Sequence, residues 1–331
     1  MIISRTPFRI SFFGGGTDYP AWYEKNGGAV LSTTIDKYCY LTCRSLPPFF
    51  DHRYRIVYSK IELVKDVHKI QHPVVRVCLE NMDVPQGIEL HHDGDLPART
   101  GLGSSSAFTV GLLHSLYALK GIMPTKKRLA DEAIHFEREV LSEAVGSQDQ
   151  VAVAHGGFNK ISFSQTGDYQ IDPVILDRDR LDNLQNHIML YFTGFSRIAS
   201  KVARKQIENT PKKQKELATM QSMVDTAIDI LCNRRDLTEF GRLLHETWML
   251  KRSLTDKVST NDIDQIYADA RSSGAIGGKL IGAGGGGFMI LFVPPKLQNK
   301  VRVKLNNLLE VKFNFETSGT QIIFHKEDPI I

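Results

Sequence analysis

Apolar and polar positions along the chain follow two periods, and the switches between them outline its elements. Residues 2–13 mix β-branched and aromatic side chains and stop at Gly14-Gly15-Gly16, which predicts a strand ending in a turn. Residues 29–44 read as further strand, with Val30, Tyr38, Tyr40 and Thr42 as β-formers. Over 107–120 the period becomes helical: Phe108, Leu112, Leu116 and Leu119 recur at steps of four, four and three, and Gly121 supplies a C-cap. A second helix, starting after Pro124-Thr125, sets Leu129, Ala133, Phe136 and Val140 along one face. Strands follow at 158–163 and 187–192.

Beyond them the pattern is dominated by helices, predicted at 197–209, 213–233, 237–254 and 262–273. A glycine cluster, Gly282 to Gly287, then leads into a strand at 288–293, a helix at 296–309 and a last strand at 320–325. Helices alternating with a few strands suggest an α+β second domain. The boundary is expected near residue 185, giving domains 1–185 and 186–331.

Composition narrows the class without naming it. The 331 residues suffice for two domains with cores of their own. Apolar residues at 42% and charged residues at 24% are ordinary for a globular chain. A net charge of +4 is too mild to argue for nucleic acid or an anionic membrane surface. No apolar run approaches the roughly 20 residues of a membrane span, and Met1 to Ile10 lack the apolar core of a secretory signal. Four cysteines are too sparse for a disulfide framework. Cys39 and Cys43 share one strand face, where burial is expected sooner than metal binding. A soluble, cytoplasmic protein is expected, with no nucleic-acid or membrane partner.

Candidate chemistry gathers at three glycine-rich segments. The first runs from Pro97 through Gly101, Leu102, Gly103, Ser104, Ser105 and Ser106 into the 107–120 helix. Glycines let backbone N–H groups approach an anion, and a helix N-terminus adds free donors and a positive dipole end. A serine N-cap after a glycine turn would account for one serine and one glycine but not for the run, so a phosphate cradle is the better reading. No Walker A sequence exists in the chain, and protein-kinase signatures are missing. The second segment, Gly282 to Phe288, matches the spacing of a dinucleotide loop, but a strand follows it where a helix is required. Five glycines in six positions imply that a ligand or another backbone lies against it. The third is Arg9-Ile10-Ser11-Phe12-Phe13-Gly14-Gly15-Gly16-Thr17-Asp18-Tyr19, in which Asp18 either stabilises its own turn or accepts hydrogen bonds from sugar hydroxyls. Phosphoryl transfer to a hydroxyl needs a metal ligand and often a carboxylate at the attacking oxygen. Glu137 and Asp149 are candidates only because the cradle is present; alone they read as a helix-surface residue and a helix cap.

Taken together and in this order, the three segments resemble the GHMP kinases, the superfamily of galactokinase, homoserine kinase, mevalonate kinase and phosphomevalonate kinase. The resemblance implies an α+β fold with an N-terminal domain like domain 2 of ribosomal protein S5, a ferredoxin-like C-terminal domain and an active site between them. It also implies ATP as donor, with Mg²⁺. Ser105 would ligate the metal with Glu137 as the partner carboxylate. Asp149 would lie against the acceptor hydroxyl, and Arg9 near the reacting oxygen. Gly284 and Gly285 would lie beside the substrate.

Galactokinase-like proteins read Arg-Val-Asn-Leu-Ile-Gly-Glu-His-Thr-Asp-Tyr where this chain has Arg9 to Tyr19. The retained Thr17 and Asp18 favour a sugar acceptor, and Gly15-Gly16 in place of Glu-His makes room that galactose would not need. Gly16, Thr17 and Asp18 are the expected sugar contacts. The Gly-Gly-Gly-Thr-Asp form, with Thr193-Gly194-Phe195-Ser196-Arg197 and the helix from Leu244 to Arg252, looks like the bacterial heptose kinases. That resemblance implies transfer to the anomeric oxygen of D-glycero-D-manno-heptose 7-phosphate, giving a 1,7-bisphosphate that feeds GDP-heptose and surface polysaccharide synthesis. Arg197 is the first expected reader of the existing phosphate, with Lys201 and Lys160 behind it. An L-fucose kinase-like enzyme and a non-catalytic sugar and ATP sensor are the alternatives. The expected assembly is a monomer or homodimer.

Overall fold

The computed structural model describes residues 1–84, 87–98, 100–194 and 199–326. Thirteen strands are assigned among them. In chain order β1 is Ile2–Phe13, β2 Gly28–Ser45, β3 Tyr54–Val57, β4 Ile61–Val64, β5 Ile88–Gly94, β6 Phe158–Phe163 and β7 Tyr169–Pro173. They are followed by β8 Ile188–Phe192, β9 Gly277–Leu280, β10 Phe288–Phe292, β11 Leu309–Val311, β12 Phe315–Glu316 and β13 Gln321–His325.

A larger sheet runs β13-β1-β2-β5-β3-β4, with β12 and the β6–β7 pair joined along β2. The two long strands β1 and β2 pair antiparallel from Ile2 opposite Cys43 to Phe13 opposite Leu31. Their β-branched and aromatic content fits a pleated, covered surface, and Phe8, Ile10, Phe12 and Phe13 are all buried. The Ser104–Leu119 helix packs across both strands. Gly111 allows that approach, since a Cβ there would lie 2.8 Å from Thr6 Oγ1.

A smaller antiparallel sheet, β11-β8-β10-β9, carries the second core of Met189, Tyr191, Trp248, Leu280 and Met289. Phe240, on the Leu237–Leu254 helix, joins the two bodies: the rings of Phe12 and Phe13 meet it edge-on at 5.6 and 5.1 Å.

Several expectations shift. The second sheet begins at Ile188, close to residue 185, but β12 and β13 return to pair with β2 and β1. A division into 1–185 and 186–331 therefore does not follow the sheets at its C-terminal end. The 296–309 helix is shorter, Gln298–Lys304, and a strand, β9, does precede the Gly282–Gly287 cluster. The chain there runs strand–turn–strand. Short elements with weak periodicity, such as the Gln148–His155 helix and the β3–β4 hairpin, fall where no element was expected.

Candidate active site

A cleft of about 910 Å³ opens where the turn after β1, the start of the Ser104–Leu119 helix, the start of the Gln148–His155 helix and the Gly282 loop converge. Two glycine segments meet at its floor. A Cβ on Gly282 would lie 2.4 Å from Gly101 Cα, and one on Gly101 would lie 2.4 Å from the Ile281 oxygen. The Phe288 N–H donates to the Thr100 oxygen at 3.2 Å. The glycine density of the second cluster therefore serves the approach of another backbone, that of the first.

The phosphate-loop residues divide between cleft and scaffold. Gly101, Gly103, Ser104 and Ser105 line the cleft. Gly103, with φ +75°, turns the chain into the helix whose N-terminal amides face the cleft. Pro97 stands outside, its carbonyl accepting from Thr100 Oγ1 at 2.7 Å, and buried Leu102 gives its carbonyl to the Arg9 N–H at 3.0 Å.

Arg9 and Asp149 meet in the cleft. Arg9 Nε donates to Asp149 Oδ1 at 2.8 Å and Nη2 to Oδ2 at 2.7 Å, while Nη1 donates to the Gly101 oxygen at 2.7 Å. One guanidinium thus fixes both the carboxylate and the loop. Gly103 is open enough for this, a Cβ there falling 3.1 Å from Arg9 Cγ.

Asp18 also reaches the cleft, buried, with Oδ1 accepting the Gly16 N–H at 2.9 Å. Burial pushes its carboxyl above the usual range against that hydrogen bond, and Asp149 adds to the rise. Gly16 lines the same wall. Thr17 does not: its hydroxyl lies 2.8 Å from the Gly14 oxygen and 2.9 Å from the Ala29 oxygen, so it locks the turn.

Two other expectations differ from the arrangement seen. Glu137 is buried on the π-helical turn Phe136–Val140, away from the cleft. Its carboxylate accepts from Ser106 at 2.9 Å, from Thr109 at 2.6 Å and from Gln150. Ser105 is exposed to the cleft while Ser106 takes the glutamate, because successive residues of a helix turn by 100° and face different ways. Ser105 thus lines the cleft, whereas the Glu137 carboxylate is taken up by Ser106, Thr109 and Gln150. Among the described residues no group of three or more His, Cys, Asp and Glu could hold a metal by itself. Gly284 and Gly285 lie outside the cleft against Val258: a Cβ on Gly284 would be 2.7 Å from the Val258 oxygen, which also accepts the Gly285 N–H at 2.9 Å. Gly282 and Ala283 line the cleft in their place. The expected phosphate reader Arg197 lies outside the described residues; of the two residues behind it, Lys160 pairs with Asp225 and Lys201 is not among those that line the cleft.

The structure adds groups that the sequence reading did not select. Lys251 and Lys279 are buried and line the cleft. Lys251 Nζ donates to the Leu280 oxygen at 3.1 Å and to the Gly282 oxygen, and Lys279 Nζ donates to the Ser11 and Phe12 oxygens at 3.0 and 2.9 Å. Burial, with the nearby Arg9 charge, pulls the Lys251 ammonium down to about 7. A periodic signal existed for Lys251, which falls on the same helix face as Leu244 and Trp248. Ser11 and Gln148 line the cleft too, and Ser11 Oγ and Gln148 Oε1 are buried without a hydrogen-bond partner.

Comparison with known proteins places the chain in a family. Residues 63–157 match the GHMP kinases N terminal domain and residues 227–311 the GHMP kinases C terminal domain, more than half of the chain between them. The chain is 29% identical to the D-glycero-alpha-D-manno-heptose 7-phosphate kinase of Campylobacter jejuni, covering 89% of this chain and 90% of that one. It is 29% identical to the mevalonate kinase of Pyrococcus horikoshii over 66% of this chain and 64% of the relative. With the L-fucokinase/L-fucose-1-P guanylyltransferase of Bacteroides fragilis it shares 26% identity over 92% of this chain, spanning 36% of that longer protein. A solved structure described as a D-glycero-D-manno-heptose 1-phosphate kinase from Bacteroides thetaiotaomicron superposes with a TM-score of 0.81 at 23% identity, over 99% of this chain and 100% of that one, which establishes the shared fold. The chain belongs to the GHMP kinases. It is a phosphotransferase, and ATP is the donor that GHMP kinases use.

Proposed function

We propose that this protein is an ATP-dependent sugar kinase that phosphorylates the anomeric hydroxyl of D-glycero-D-manno-heptose 7-phosphate, giving the 1,7-bisphosphate used toward GDP-heptose. The observation that carries a polyhydroxy acceptor is the pair of partnerless buried atoms, Ser11 Oγ and Gln148 Oε1, lining the cleft with the Asp18 carboxylate. Buried polar atoms are nearly always paired, and hydroxyl groups of a bound sugar would complete these. The heptose follows from the Campylobacter relative, which matches along almost its full length.

In this reading the N-terminal amides of the Ser104–Leu119 helix and the Gly101–Gly103 backbone hold the phosphate chain of ATP. Asp149, oriented by Arg9, accepts the hydrogen bond of the attacking hydroxyl. The sugar oxygen then bonds to the γ-phosphorus as the bond to the β-phosphate oxygen breaks, ADP leaves, and the hydroxyl proton passes to Asp149. Mg²⁺ held by the phosphates and Ser105 would offset their negative charge. Arg9 keeps the carboxylate within reach, and the packed Gly101–Gly282 seam closes the floor of the site.

The Bacteroides fragilis relative supports a second acceptor, L-fucose. Both readings are tested by ATP-dependent ADP release against heptose 7-phosphate, free heptose, fucose, mannose and galactose. Turnover selective for heptose 7-phosphate, with a 1,7-bisphosphate as product, is the expected result. Selective turnover of fucose would replace the acceptor, and no turnover with any sugar would remove the sugar-kinase reading.

A further inference from the structure

The acceptor side of the cleft has a third wall. The Ala199–Asn209 helix contributes Ser200, Ala203, Arg204 and Gln206 to the lining. It is held against the glycine loop by Gln206 Nε2, which donates to the Ala283 oxygen at 2.9 Å, and against the Leu237–Leu254 helix by Asn209 Nδ2, which donates to the Leu254 oxygen at 2.9 Å. The wall is thus anchored both to the glycine loop and to the helix that carries Lys251.

Among the described residues four basic side chains line the cleft: Arg9, Arg204, Lys251 and Lys279. Arg9 is engaged on all sides by Asp149 and the Gly101 oxygen. Lys251 and Lys279 each give hydrogen bonds to two main-chain oxygens. Arg204 is exposed, and among the described residues no side chain or carbonyl engages its guanidinium. Its basic neighbour on the helix, Lys205, instead pairs with Glu208 at 3.1 Å. Arg204 therefore presents a full fork of donors to the cleft, a geometry that matches the oxygens of a phosphate monoester.

We propose that Arg204 is the specificity-determining residue that binds a phosphate group already carried by the acceptor, at the end of the sugar away from the hydroxyl being phosphorylated. The assignment rests on the heptose 7-phosphate reading given above. The sugar body would fill the space bounded by Asp18, Ser11 and Gln148, with its reacting end at Asp149 and its charged end at the helix. An exposed fork on a helix reads a dianion without requiring a deep pocket, so the phosphate remains partly in water while its orientation is fixed.

The test compares kcat/KM for heptose 7-phosphate with kcat/KM for unphosphorylated heptose in the full-length wild type and in Arg204→Gln and Arg204→Lys. The wild type is expected to prefer the phosphate ester, and Arg204→Gln to lose roughly 30-fold or more of that preference, in line with the loss of a charge-assisted bidentate contact. Arg204→Lys should restore part of it, since charge returns without the fork, an outcome that a merely structural role does not give. Thermal midpoints of both variants establish that they are folded. If Arg204→Gln keeps the wild-type preference, the phosphate is read elsewhere and this assignment falls while the proposed function stands. If the wild type itself turns over free heptose as well as the ester, the phosphorylated acceptor falls and this assignment falls with it.

Discussion

Arg9 and Asp149 are separated by 140 residues and are joined in the cleft by two parallel hydrogen bonds of 2.8 and 2.7 Å. The arginine side chain is 4% exposed and the aspartate side chain 27%, so the pair has one protected member and one open to the cleft. The buried member also ties down the phosphate loop through the Gly101 oxygen. The glycine loop and the Asp149 carboxylate are thereby set relative to each other by a single planar group.

Asp149→Asn keeps the shape and loses the proton acceptor. We expect kcat to fall roughly 10²- to 10⁴-fold, the usual range for a positioned general base, with the KM for ATP within a few-fold of wild type. Steady-state kinetics check this, and unchanged turnover removes Asp149 from the mechanism.

The adjacent serines should separate cleanly. Ser106→Ala strips a donor from buried Glu137 and is expected to cost about 1–3 kcal/mol, seen as a lower thermal midpoint. Ser105→Ala, at an exposed position, should leave that midpoint within about 1 °C and raise the Mg²⁺ concentration needed for half-maximal activity. Calorimetry and a Mg²⁺ titration distinguish them; a stability loss confined to Ser105→Ala reverses the assignment.

Burial raises the Glu137 carboxyl from 4.5 to about 7, against the hydrogen bonds from Thr109, Ser106 and Gln150 that favour its charged form. A group whose folded pKa lies above its unfolded value contributes stability that is complete below the unfolded pKa and disappears as pH rises through the folded one. For Glu137 the contribution is present below about pH 4.5 and lost by about pH 7, with a size on the order of 3 kcal/mol. His114 and His155, both lowered to about 4 by burial, act in the opposite sense as pH rises through the same window. The informative quantity is therefore a difference. The stability of wild type minus that of Glu137→Gln should fall between pH 4.5 and 7 in urea unfolding, and a flat difference excludes Glu137 as the titrating group.

Gly101 and Gly282 depend on each other's missing side chains. Both have positive φ, +88° and +74°, and both meet backbone at 2.4 Å when given a Cβ. Either alanine variant must move one glycine segment off the other, so the KM for ATP should rise at least tenfold together with a loss of stability. Gly121→Ala is the comparison: φ is +69° there but nothing lies within 4 Å, so only the backbone cost of about 1 kcal/mol applies. Equal effects at all three positions would show that the close packing contributes nothing.

The sequence by itself determined the long elements and marked the first loop as a helix start. The pattern over 2–13 and 107–120 was strong enough to place β1 and the Ser104–Leu119 helix, and the glycine-serine run between Gly101 and Ser106 marked where that helix starts. Periodicity is a local property, and these signals are local. Tertiary structure decided which of neighbouring residues face the ligand. It turned Ser105 to the cleft and Ser106 to Glu137, kept Asp18 in the site while committing Thr17 to its turn, and put Gly282 where Gly284 and Gly285 were expected. It also returned β12 and β13 to the first sheet and brought Lys251, Lys279 and Arg204 to one cavity. Those outcomes depend on contacts between segments far apart in the chain, and a burial or an orphaned hydroxyl such as that of Ser11 exists only once the other wall is in place.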